Sequence, residues 1–139
     1  MIPAEAKLTL EFPEVFDEMT GTEVDNLFAD RFKQRWGIWD RGGHMIMVLQ
    51  WNETNSFLSK IYTEEKISRN DEKYIRKTLK DRSYNLHEFI SGTVCGTEYK
   101  GFRYCYLVSD VYQEGKLLIF KKGNMIYTLY YYSRPGLDE

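Results

Sequence analysis

The chain has 139 residues, of which 42% are hydrophobic, enough to form one domain with a buried core and to exclude a disordered polymer. Nineteen basic and 21 acidic residues leave a net charge of −2, so no overall field draws the chain to nucleic acid or anionic lipid. The longest apolar runs, Met45 to Leu49 and Leu117 to Phe120, are strand-sized and far shorter than a bilayer span, and no membrane partner is expected. The start Met1-Ile2-Pro3-Ala4-Glu5 lacks the basic-then-apolar pattern of an export signal, which makes a cytoplasmic location the expectation.

In chain order, Leu8, Leu10 and Phe12 alternate with polar residues over Lys7 to Phe12, the period of a half-buried strand that Pro13 ends. Thr20 and Glu23 stand at the spacing of a capping box, and Val24, Leu27 and Phe28 follow at helical spacing, which predicts a helix over Glu23 to Asp30. Phe32 to Ile38 and His44 to Trp51 read as a hairpin around Asp40-Arg41-Gly42-Gly43. The stretch Phe57 to Ile67 is ambiguous. Ser68 to Asp71 offers caps and first-turn acids for a second helix over Asp71 to Asp81, with Ile75 and Leu79 on its apolar side.

Four strands close the chain: Leu86 to Cys95, Phe102 to Tyr112, Leu117 to Lys121 and Met125 to Ser133, with turns at Gly101, Gly115 and Gly123. The Gly123-Asn124 pair between two apolar runs is the sharpest hairpin signal. Both faces of the strand from Phe102 carry apolar groups, Tyr104, Tyr106 and Val108 against Cys105 and Leu107, so the sheet is expected to be covered on both sides by helices or a partner chain. The whole is a single α+β domain over residues 1–139: an antiparallel sheet with a C-terminal four-strand meander and helices packed on it.

Groups suited to chemistry are sparse. The two histidines, His44 and His87, lie in no HExxH pattern, no serine occupies a GxSxG elbow, and the scattered glycines form no phosphate cradle. Hydrogen-bonded structural roles are expected for both imidazoles, with no enzyme activity, metal or cofactor. Lys100 to Tyr106 partly overlays an RNA-binding signature, but Arg103 stands where a small residue belongs, Cys105 replaces an aliphatic one, and two more strands follow where a helix should. Lys73, Arg76, Lys77 and Lys80 form a basic stripe on the second helix, the pattern of a solvated outer face. Cys95 and Cys105 flank a loop-like segment. A hairpin folded about Lys100 would set them opposite one another at disulfide range, the alternative being two reduced thiols.

The aromatic surplus carries the functional reading. Tyr127, Leu129 and Tyr131 share one face of the last strand and Thr128, Tyr130 and Tyr132 the other. Tyr130 and Tyr132, next to Arg134, are the candidate contact surface for a protein partner or a second copy of the chain, and packing under a helix is the plain alternative.

Phe12-Pro13 with Phe16, the segment Val48-Leu49-Gln50-Trp51 and the ending Gly123 to Leu129 resemble the PsbP-like or Mog-like α/β/α sandwich proteins. That family includes an extrinsic photosystem subunit, a Ran-binding protein and bacterial chaperones of secreted effectors. The resemblance implies a non-catalytic, protein-binding or chaperone-like role and transfers no site residue. The rival reading is a cone-shaped α+β barrel of the NTF-two-like kind, enclosing an apolar pocket for a small molecule, in which His44, His87 and an acid such as Asp110 would converge.

Overall fold

The computed structural model describes residues 16–25, 27–28, 34–40, 45–55, 60–94, 96–108 and 110–133. Among these residues seven strands form one antiparallel sheet: β1 (Phe16–Glu18), β2 (Gln34–Asp40), β3 (Met45–Glu53), β4 (Asn85–Val94), β5 (Thr97–Val108), β6 (Val111–Lys122) and β7 (Met125–Ser133). Helix α1 (Gly21–Asp25) follows β1, and α2 (Glu64–Thr78) separates β3 from β4. The sheet order is β1-β2-β3-β7-β6-β5-β4. β3 therefore lies beside β7, while the next strand in sequence starts at the far edge. The chain crosses β7, β6 and β5 to reach that edge, and α2 makes the crossing over one face. The edges, β1 and β4, do not pair with each other, so the sheet is open and the barrel alternative is not formed.

Local chemistry sets the element ends. The capping box forms as expected, Thr20 N donating to Glu23 Oε1 at 2.8 Å and Glu23 N to Thr20 Oγ1 at 3.2 Å. The helix is shorter than its periodicity suggests, because Leu27 N and Phe28 N bond to the carbonyls three residues back, Val24 and Asp25, and the turn tightens. Helix α2 starts seven residues before the expected Asp71. Its N-cap is Thr63, whose Oγ1 accepts from Lys66 N at 3.2 Å, with Glu64 and Glu65 in the first turn.

The meander is more continuous than its glycines imply. Gly101 and Gly115 sit inside β5 and β6. A β-carbon on Gly101 would stand 1.9 Å from the Leu117 carbonyl oxygen, and one on Gly115 would stand 2.3 Å from Tyr104 Cζ. These glycines are set by close approach across strands, not by turning. The turns fall at Gly96 (φ +79°), Asp110 (φ +65°) and Gly123 (φ +60°). Glycine at the first of two central positions, with Lys122 opposite Met125, is the pattern of a type II′ hairpin. The expected strand over Lys7 to Phe12 lies outside the described residues.

Register divides the side chains into two faces. Pairings Gly37↔Val48, Val48↔Tyr130, Tyr130↔Leu117 and Leu117↔Phe102 define the face under α2. There Phe102, Tyr104, Leu117 and Ile119 are buried beneath Ile67, Ile75 and Leu79 of the helix and its C-terminal turn. Beside them Met19, Val24 and Val48 form a smaller cluster under α1. The opposite face buries Trp36, Ile38, Leu49, Trp51, Met125 and Tyr127. Both faces thus hold core, each fully buried large side chain contributing roughly 1.5–3 kcal/mol. Toward β4 the second face turns polar, with Glu88 and Arg103 paired at 2.7 Å.

The position of the β4–β5 turn is corrected by this register. Val94 pairs with Thr97, so the β4–β5 hairpin turns at Gly96 and not about Lys100. Cys105 stands opposite Asn85, at the other end of the ribbon, and its thiol is free. Cys95 itself lies outside the described residues. Burial and the cross-strand Glu114 carboxylate push the Cys105 thiol above its ordinary value, which keeps it protonated and unreactive.

Candidate functional site

Between α2 and the sheet lies a cleft of about 850 Å³, within the size range of small-molecule sites. Its floor is the central strands. Because side chains alternate along a strand, Ile126, Thr128, Tyr130 and Tyr132 of β7 all point to it, as do Tyr104 and Tyr106 of β5 and Leu117 of β6. The roof is the apolar side of α2, where Ile67, Asp71, Tyr74, Ile75 and Thr78 recur at helical spacing. Leu27, Tyr62 and Tyr74 at the rim are exposed.

The tyrosines pack on one another. Tyr104 stacks on Tyr106 at 5.9 Å between centroids, and Tyr84 and Phe102 each lie 5.6 Å from Tyr104. Burial pushes the phenols of Tyr104, Tyr106, Tyr130 and Tyr132 above their ordinary value, so all four keep their protons through the neutral range.

Among the described residues, one guanidinium lines the cleft. Arg35 of β2 donates Nε–H to Gln50 Oε1 at 3.0 Å and lies 3.6 Å over the Phe28 ring. Phe28 meets Tyr130 edge-on at 5.0 Å. Asp71 of α2 and Glu53 at the end of β3 also line the cleft.

A second polar cluster holds the helix down. Glu72 is buried, taking both Arg76 Nε at 2.9 Å and Nη2 at 2.7 Å, and the Tyr84 hydroxyl donates to it at 2.8 Å. Burial, then the bond to Glu72, raises the Tyr84 phenol. Arg76 is thereby taken from the basic stripe, leaving Lys73, Lys77 and Lys80 exposed on the outer face.

Of the residues singled out from sequence, Tyr130 and Tyr132 meet in the cleft, half-buried and not on a free face. Arg134 and His44 lie outside the described residues. His87 is exposed on the edge strand beside the bulge at Leu86/Glu88, and Asp110 sits in the β5–β6 turn. Neither lines the cleft, so the imidazole–carboxylate convergence required by the barrel reading does not arise from them. No group of three or more His, Cys, Asp or Glu among the described residues could hold a metal ion. Arg35, Gln50, Asp71 and Phe28 were not legible as site residues. They come from four separate segments, and the available signal, Arg35 alternating with Trp36 on a strand, reads as an ordinary polar-out position.

An open antiparallel sheet with its helices over the meander face, a long crossover helix and a second core behind is the architecture of the PsbP-like α+β sandwich. Cyanobacterial PsbP from Synechocystis superposes with a TM-score of 0.60 at 13% identity, over 89% of this chain and 72% of that one. A Bacteroides thetaiotaomicron protein superposes with a TM-score of 0.56, again at 13% identity, over 90% of this chain and 37% of that one. A Pseudomonas aeruginosa protein of unknown function gives 0.45 at 10% identity, over 66% of this chain, which spans 59% of its length. At these identities the likeness concerns the fold alone. No protein-family profile matches the chain, and no curated protein matches its sequence. No helix among the described residues is long and apolar enough to cross a membrane.

Proposed function

We propose that this protein is a non-catalytic binding module whose contact site is the tyrosine-lined cleft under α2. The observation that carries this reading is the cleft of about 850 Å³, apolar over most of its wall and set with a few convergent polar groups, the make-up of a small-molecule site. Its phenols hold their protons well above neutral pH, which suits them to hydrogen bonding and packing and not to proton transfer near pH 7. The exposed apolar rim at Leu27, Tyr62 and Tyr74 favours a second reading, in which a protein partner seats an apolar side chain there in a chaperone-like manner. A cytoplasmic setting belongs to the same proposal.

Titration with the neutral fluorophore dansyl butylamide tests the site. One saturable binding event accompanied by a rise in Tm is expected, and Ile126→Trp, which places an indole in the open volume, should weaken it by about tenfold. Absence of saturable binding, or an unaffected Ile126→Trp variant, overturns the assignment of this cleft.

A further inference from the structure

The long axis of the cleft follows from two elements that lie along one another. Glu64, in the first turn of α2, pairs with Lys121 near the end of β6 at 3.3 Å. Past the other end of the helix the Arg82 carbonyl accepts from Leu107 N at 2.7 Å, and Leu107 stands opposite Tyr112 near the start of β6. Helix α2 therefore runs lengthwise over the strands, antiparallel to β6. Its lining residues extend from Ile67 to Leu79, about 18 Å of helix at 1.5 Å per residue. On the floor the lining of β7 extends from Ile126 to Tyr132, about 20 Å at 3.4 Å per residue. Roof and floor agree in length, which makes the cleft a groove.

The neighbouring strand continues the same trough. Asn52, Gln50 and Ile46 of β3 stand opposite Ile126, Thr128 and Tyr132, and each lines the cleft with its partner. Paired strands are rotated by about 20–25° relative to one another, so a trough of this length across two of them is twisted. A rigid ring system seated at one end would meet the wall before it reached the other. A flexible chain follows the twist, and every methylene laid against the aliphatic and aromatic wall leaves water. Polar side chains gather at the Ile126 end, where Asn52 and Thr54 are half-buried and Glu53 is exposed. A headgroup there can stay hydrated while its chain lies inward.

Resting on the reading of the cleft as a binding site, we infer that its ligand is a single-chain amphiphile, one unbranched alkyl chain laid along the groove beside α2 with its polar headgroup at the mouth formed by Asn52 and Thr54. With C–C bonds of about 1.5 Å an extended chain advances about 1.25 Å per carbon, so about 14 to 16 carbons fill the groove.

Uncharged alkyl maltosides from hexyl to octadecyl, each below its micelle-forming concentration, are titrated against bound dansyl butylamide. Displacement should strengthen about twofold to fourfold with each added carbon and level off between tetradecyl and hexadecyl, so that octadecyl maltoside gains nothing further. Thr78→Trp, at an exposed position on the far end of the roof, should bring the plateau forward by about four carbons, one helical turn, and leave octyl maltoside unchanged. Gln113→Trp on β6 obstructs the same end from the floor and gives the same reading if the helix variant folds poorly. Lys73→Trp, exposed on α2 but not lining the cleft, should change nothing. Absence of displacement, affinity independent of chain length or still rising at octadecyl, a plateau moved by neither end variant, or one moved equally by Lys73→Trp overturns the ligand class, while dansyl butylamide binding keeps the site. Failure of dansyl butylamide itself to bind overturns the site and the class together.

Discussion

Gly115 lies directly opposite Tyr104 across the β5–β6 pair, and the absent side chain is the space the Tyr104 ring occupies. The ring reaches over Gly115 and becomes part of the cleft floor. A methyl group on Gly115 would stand 2.3 Å from Tyr104 Cζ and force a buried ring to move. Gly115→Ala should cost about 1–3 kcal/mol in urea unfolding and weaken binding of the neutral dansyl probe. Gly123→Ala, strained by φ +60° but open in space, should cost about 1 kcal/mol and leave probe binding unchanged.

Glu72 is the one carboxylate of α2 that is buried, and its two oxygens are shared between Arg76 and Tyr84. Tyr84→Phe removes one donor to a buried charge and should destabilise by roughly 1–3 kcal/mol. Arg76→Ala takes two donors and the counter-charge from the same buried carboxylate, so it should cost more than Tyr84→Phe does. Denaturant midpoints for the two variants give the order directly.

Six tyrosines, Tyr84, Tyr104, Tyr106, Tyr127, Tyr130 and Tyr132, have phenols raised by burial above the ordinary value. In the unfolded chain they ionise near pH 10. Above that pH the unfolded state has released protons that the folded state still binds, so stability falls with rising pH, by up to about 1.4 kcal/mol per pH unit for each such group. Below pH 10 this contribution is complete and flat. Tyrosinate absorbance should therefore appear in two phases, exposed phenols first and the buried set together with loss of near-ultraviolet circular dichroism. A single early phase for all eleven tyrosines would contradict the packing.

Thr63 caps α2 through its hydroxyl, which accepts from Lys66 N. Thr63→Ala should lower stability by about 1 kcal/mol, whereas Thr63→Ser should be nearly neutral. Because α2 is the roof of the cleft, the alanine variant should also loosen the neutral probe, read by titration at a temperature where both variants remain folded.

Much of the fold was readable because it rests on local chemistry. The capping box of Thr20 and Glu23, the alternation that put Tyr130 and Tyr132 on one face, and the Gly123-Asn124 turn involve residues within a few positions of one another. The start of α2 was missed because Thr63 caps a turn whose first residues are charged, with too little apolar period to announce it. Gly101 and Gly115 were taken for turn residues because a glycine demanded by a neighbouring strand looks, in sequence, the same as one demanded by a positive φ.

What the sequence by itself determined is a single α+β chain with an antiparallel C-terminal meander and two apolar faces, since strand period and turn chemistry are properties of short segments. The tertiary structure alone decided that β3 pairs with β7, and with it that α2 crosses the sheet and roofs a cleft. That one non-local pairing brings Arg35, Gln50, Asp71 and Tyr130 together from segments far apart in the chain. Contacts of that kind are fixed by where the strands dock, and no local pattern carries them.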